Sequence, residues 1–154
     1  MEVHMEANLE LAIKIATEAH EGQTRFDGSP YIGHPLRVMQ TLAIRGYSES
    51  TQIVGVLHDV PEDTEVSISD ISGFGFGEEI TFPLELLTKQ SGDDYTLYVH
   101  RLSANSRARA VKKADLFDNM NLDGLQNPSK RRIINIEKYG AAMMYLARFP
   151  QPKV

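Results

Sequence analysis

Apolar positions recur at helical spacing along most of this chain, and a sustained period-two alternation is absent. Within residues 7–22, Leu9, Ala12, Ile13, Ala16 and Ala19 fall three or four apart, and Gly22 stands where a helix would stop. The next stretch, "QTRFDGSPYIGHP", holds two Gly, two Pro and an Asp-Gly step, so it reads as a long loop of the kind that often carries function. A second helix is predicted from about Pro35 through Leu36, Met39, Leu42 and Ala43 to Gly46, since proline suits a first helical turn. A third covers residues 49–60 and is expected to end before Pro61, because the residue preceding a proline disfavours the helical region. "SISDISGFGFGEEI" predicts a short helical turn and a Gly-rich corner, with Ser67 and Asp70 at the spacing of an N-terminal cap. A helix through Leu84 and Leu87 follows, then a polar loop, then helices at "YTLYVHRLSAN" and "SRARAVKKADLFDNMNL". "NPSK" breaks the chain before a last helix with Ile133, Ile136, Gly140, Met143 and Ala147 along one stripe. The expected fold class is all-α, a bundle of six to eight helices, with residues 1–154 forming one domain.

Composition narrows the function classes. Hydrophobic residues make up 42% and charged residues 24%, ordinary for a globular chain with a proper core. The absence of cysteine excludes disulfides and thiolate metal sites. No apolar run approaches a membrane-spanning length, and the acidic start "MEVHMEANLE" is unlike a signal peptide, so a cytoplasmic location is expected with no membrane partner. A net charge of −5 argues against binding a nucleic-acid polymer. An anionic small molecule is compatible with it, given local basic residues or a metal.

"VLHDVPEDTE" carries His58, Asp59, Glu62, Asp63 and Glu65 directly after an apolar run. Carboxylates this close repel one another unless solvent or a cation offsets the charge. His58 lies one turn after Val54 on an apolar helix, which predicts burial and a need for partners. His34 stands between the loop and a proline-started helix, near a helix N-terminus. Asp115 shares a helix face with Ala108, Val111, Asn119 and Leu122, and a carboxylate on a buried stripe is costly unless paired or bound to metal. A pairing with Lys112 or Lys113 is not expected, since both are close in sequence to Asp115. His34, His58, Asp59 and Asp115 together offer two imidazoles and two carboxylates, a mixed set suited to a divalent metal such as Mn²⁺, Fe²⁺ or Zn²⁺, and open water positions are compatible with Mn²⁺. Glu62 and Asp63 follow just after Pro61, where carboxylates can orient and deprotonate an attacking water. Glu65 reads as solvated, His4 and His100 as surface or hydrogen-bonded histidines, and His20 as structural at the end of the first helix. Arg25, Lys89, Arg109 and Lys112 are candidates for local positive charge.

In this order, "GSPYIGHP", "LHDVPEDT" and "VKKADLFDNM" resemble the motif blocks of the HD-domain metal-dependent phosphohydrolases, over roughly residues 20–125. The nearest branch is the hydrolase domain of RelA/SpoT alarmone enzymes and their small stand-alone relatives. The resemblance implies a helical HD fold and one Mn²⁺ held by His34, His58, Asp59 and Asp115. It gives Glu62 and Asp63 the catalytic handling of water, and places Arg25 and Asn119 against a nucleotide. The implied reaction removes the 3′-pyrophosphate from (p)ppGpp; the alternatives are another nucleotide or phosphomonoester, or a sensor without turnover. Three positions depart from the pattern: Phe26 replaces a basic or small polar residue, Asp118 replaces a common His, and no pocket tyrosine is evident near Ile136.

Overall fold

A computed structural model describes residues 5–121 and 129–154. In chain order the helices are α1 (Leu9–Ala19), α2 (Gly33–Ile44), α3 (Glu49–Leu57), α4 (Val60–Asp63), α5 (Ile68–Gly73), α6 (Glu78–Leu87), α7 (Tyr95–Leu102), α8 (Ser106–Asn119) and α9 (Lys130–Leu146). No strand occurs among the described residues beyond one isolated bridge between Thr24 and Pro30. The class is all-α, as the periodicity predicts.

The helix count among the described residues is nine rather than six to eight, and the reason bears on the site. The third predicted helix divides. It stops at Leu57, turns through His58 and Asp59, and restarts at Val60. Pro61 therefore lies in the first turn of α4 instead of ending α3. A first-turn residue has no intrahelical partner for its N–H, so proline costs nothing there.

Helix α3 is the centre of the bundle. Its last five residues, Ile53, Val54, Gly55, Val56 and Leu57, are all buried, so its C-terminal half has no polar face to turn to water. It packs against α1, α2, α6 and α8, and α8 also packs on α2. The α2–α3 contact is close because Gly55 has no side chain: a Cβ there would stand 2.6 Å from Leu42 Cδ1. Several N-termini are capped as their sequences indicate. Asn8, Ser48, Asp94, Asn105 and Ser129 each accept a first-turn N–H, and Ser67 with Asp70 forms a reciprocal capping box.

Two stripes differ from expectation. On α1 the fully buried residues are Leu11, Ala12, Ile15 and Ala16, with Leu9, Ile13 and Ala19 at the edge. On α9 the buried face runs through Tyr139, Ala142, Met143 and Leu146, whereas Ile133 and Ala147 are exposed. That face keeps the helical spacing but is rotated about the axis, since only the second half of α9 meets the core. Leu122, and "NPSK" as far as Pro128, lie outside the described residues, as does His4.

Candidate metal centre and cleft

Helices α2, α3 and α8 pack mutually, and each brings a polar group to one buried point. His34 comes from the first turn of α2, His58 and Asp59 from the turn after α3, and Asp115 from the last turns of α8. His34 Nε2 lies 2.9 Å from Asp115 Oδ1 and 3.5 Å from Asp59 Oδ2. His58 Nε2 lies 3.1 Å from Asp59 Oδ2 and 3.4 Å from Asp115 Oδ1. The break between α3 and α4 is what lets the adjacent His58 and Asp59 reach one point, which neighbours on a continuous helix, about 100° apart, would do poorly.

Both imidazoles are held from behind. His34 Nδ1 is 2.7 Å from Asp118 Oδ2, and His58 Nδ1 is 2.6 Å from the Gly55 carbonyl. These acceptors take the Nδ1 proton, so each Nε2 is left to face the carboxylates. His58 Nε2 is buried and, despite its short distances, has no hydrogen-bond partner of proper geometry. An orphaned buried nitrogen beside two carboxylate oxygens fits a cation ligand set, with two nitrogens and two oxygens suited to a divalent ion of intermediate hardness. His34, His58 and Asp115 could hold such an ion among themselves, with Asp59 at the open side.

The electrostatics agree with that chemistry. Burial works against charge on His34 and His58, but the carboxylates beside them prevail and raise both. Burial likewise opposes charge on Asp59 and Asp115, yet His58 beside Asp59, and Lys112 with the imidazoles beside Asp115, lower both. Protons here occupy the role that a cation would take.

The expectation that Lys112 cannot face Asp115 is wrong. Lys112 Nζ donates to Asp115 Oδ2 at 2.9 Å, because residues three apart on a helix are neighbours on its surface. Its ammonium also sits over the rings of Tyr98 and Tyr95, at 5.1 and 5.9 Å. Lys112 thus offsets part of the burial cost of Asp115, and His58 Nε2 becomes the sharper indicator of a metal.

Above the four groups opens a cleft of about 860 Å³. Glu62 and Asp63 line it beside Asp59, and one oxygen from each of the three lies within 4.8 Å of the others. Partial burial first, and the nearby Asp59 charge as well, raise both Glu62 and Asp63. Glu62 Oε1 also accepts the Lys89 N–H, and Asp63 is tied through its carbonyl to the Gln23 amide. Arg25 and Asn119 line the same cleft and bond to each other at 3.0 Å. Glu65 is exposed and lies outside this cleft.

A sequence profile described as HD domain matches residues 12–115. The chain belongs to the HD-domain family. Among curated relatives, the bifunctional (p)ppGpp synthase/hydrolase SpoT of Escherichia coli is 32% identical over 137 residues, covering 82% of this chain and 19% of its own. A probable guanosine-3′,5′-bis(diphosphate) 3′-pyrophosphohydrolase of Synechocystis is 36% identical over 134 residues, 79% of this chain and 18% of its own. A GTP pyrophosphokinase of Streptomyces coelicolor is 33% identical over 121 residues, 73% of this chain and 14% of its own. The HD-domain chain therefore spans less than a fifth of the length of these relatives. A solved structure of a metazoan ortholog of SpoT shares the fold, with a TM-score of 0.80 and 20% identity over 99% of this chain and 92% of that one.

Other side chains of this HD domain were not foreseen. Tyr31, inside "GSPYIGHP", donates to Asp59 Oδ2 at 2.6 Å and so orients that carboxylate. Arg131, Arg132 and Lys138 of α9 line the cleft with Lys89 and Lys112, whereas Arg109 turns away to the Ser103 and Pro150 carbonyls. Tyr139, one turn beyond Ile136, lines the cleft, so a pocket tyrosine is present after all. Phe26 lies between two guanidiniums, 4.3 Å from Arg132 and 5.3 Å from Arg25. His20 is buried outside the cleft lining with Nδ1 on Gln23 Oε1, and His100 stacks on Tyr145 away from the cleft.

Proposed function

We propose that this HD domain, with residues 1–154 as one catalytic unit, hydrolyses the 3′-pyrophosphate of a guanosine alarmone, (p)ppGpp, with Mn²⁺ as its metal. The observation that carries the reading is the meeting of His34, His58, Asp59 and Asp115 at one buried point beneath a cleft that Glu62 and Asp63 also line. His34, His58, Asp59 and Asp115 would hold the ion. Bound there, Mn²⁺ supplies positive charge for the phosphoryl oxygens and acidifies water.

The chain's own residues do the rest. Glu62 and Asp63 orient the attacking water and accept its proton, a role helped by their raised affinity for protons. Arg25 and Asn119 contact the nucleotide. Lys89, Lys112, Arg131, Arg132 and Lys138 give a net-acidic chain a locally basic cleft, which is what a pyrophosphate requires. The substrate is a small soluble nucleotide, in keeping with a cytoplasmic enzyme that needs neither membrane nor nucleic-acid polymer.

The relatives' names span synthesis and hydrolysis, so the acid pair beside the metal set is what favours hydrolysis here. Phe26 at the cleft favours a second reading, the same chemistry on another nucleotide or phosphomonoester. Incubation with ppGpp and Mn²⁺ should release pyrophosphate and GDP, with little turnover of a panel of other phosphorylated nucleotides. Cleavage of the panel without cleavage of ppGpp would refute the alarmone assignment. Binding of ppGpp with no turnover, unchanged in a Glu62→Gln, Asp63→Asn variant, would instead make the domain a sensor.

A further inference from the structure

Asp118, which does not line the cleft, makes four polar contacts through its two oxygens. Its Oδ2 accepts from Arg25 at 2.9 Å and from Arg37 at 3.2 Å, and lies 2.7 Å from His34 Nδ1. Its Oδ1 accepts from Arg37 Nε at 2.7 Å. The side chain is only 10% exposed, and it lies three residues after Asp115 on the same helix. Neither a His nor any neutral side chain at this position could accept from all these donors at once. One carboxylate thereby fixes two things: the tautomer and ring angle of His34 on the metal side, and the guanidinium of Arg25 on the nucleotide side.

We propose that Asp118 is a positioning residue that ties His34 to Arg25, so that divalent-metal affinity and nucleotide affinity both depend on it. The inference rests on the proposed metal and nucleotide sites and adds a residue that holds them in register. A carboxylate behind a metal-binding imidazole typically changes metal affinity by about 10–100-fold. Loss of one charge-assisted hydrogen bond to a ligand is roughly tenfold.

The test is calorimetric titration of Mn²⁺, and separately of GDP, into wild type, Asp118→Asn and Arg25→Ala. Asp118→Asn should weaken Mn²⁺ by about 10–100-fold and GDP by about tenfold. Arg25→Ala should weaken GDP alone. A folded Asp118→Asn protein that binds Mn²⁺ as wild type does overturns the inference while leaving the metal site intact. A wild type that binds no Mn²⁺ refutes the metal site itself, and the inference with it. If the variant does not fold, ¹⁵N spectra of Zn²⁺-loaded wild type decide: a slowly exchanging proton on His34 Nδ1 is expected, and an Nδ1 without one overturns the proposal.

Discussion

Four carboxylates around one cleft divide into two kinds by their neighbours alone. Asp59 and Asp115 stand against imidazoles, and Asp115 against Lys112, so both are held ionised despite burial. Glu62 and Asp63 have no such cation in contact; partial burial and the charge of Asp59 push them the other way. Separation of this sort is what the proposed division into metal ligands and water-handling acids requires. Glu62→Gln keeps volume and hydrogen bonding but cannot take a proton. It should lower kcat by about 10²–10⁴-fold, the usual worth of a positioned acid or base, while Mn²⁺ affinity stays near wild type. Steady-state kinetics paired with a metal titration check this, and a variant that lost metal along with activity would move Glu62 into the ligand set. His58→Ala should do the reverse and lose the metal itself, read by elemental analysis after dialysis, since it removes one of the two imidazole nitrogens.

At the level of elements, the site depends on how closely α2 and α3 approach. Gly55 permits that approach and also gives its carbonyl to His58. In Gly55→Ala the new Cβ meets Leu42 Cδ1, the end of a side chain that is itself wholly buried and has nowhere to go. Overpacking of this kind costs about 1–3 kcal/mol, against a helix-propensity gain of about 1 kcal/mol. A net loss of up to about 2 kcal/mol in chemical denaturation is expected, with weaker Mn²⁺ binding because His34 and His58 are carried on the two helices being pushed apart. Unchanged metal affinity at reduced stability would show that the turn after α3 absorbs the shift.

The same scale explains what the sequence could and could not reveal. The Ser67–Asp70 cap, the long loop and the four groups that meet at one point were legible because each is a local pattern or an ordered set of rare residue types. The break at His58 and Asp59 was not, since Pro61 is equally compatible with an end and a beginning. Arg131, Arg132 and Lys138 are not legible as cleft residues in the sequence because lysines and arginines on a helix face look alike whether they face a cleft or open water, and only the docking of α9 decides which they do. Asp118 stands out in the sequence only as a departure from the family pattern, because a carboxylate that serves three residues from α2 and the loop before it has no signature in its own helix.

For the molecule as a whole, the metal and the fold are linked. Folding gathers Asp59 and Asp115 at one buried point and needs positive charge there beyond what Lys112 gives Asp115, from protonated imidazoles or from a divalent ion. In chelated protein the imidazoles supply it. Burial would lower both, but the carboxylates prevail and the folded values lie above the ordinary value of 6.5. A raised imidazole contributes its full stabilisation below the ordinary histidine range and loses it as pH climbs through the raised folded value. Chelated protein should therefore become less stable from near neutrality upward. A bound ion needs the imidazoles unprotonated, so its own contribution moves in the opposite sense and grows over the same interval. At a hundredfold excess over Kd an ion that binds only the folded state adds about 2.7 kcal/mol. For a chain of 154 residues that raises Tm by about 5–10 °C. Thermal melts with chelator and with Mn²⁺, from pH 6 to about 8.5, should show the gap between the two curves widening with pH. A gap that stayed constant would mean that His34 and His58 exchange no protons for the metal, and that the ion sits elsewhere.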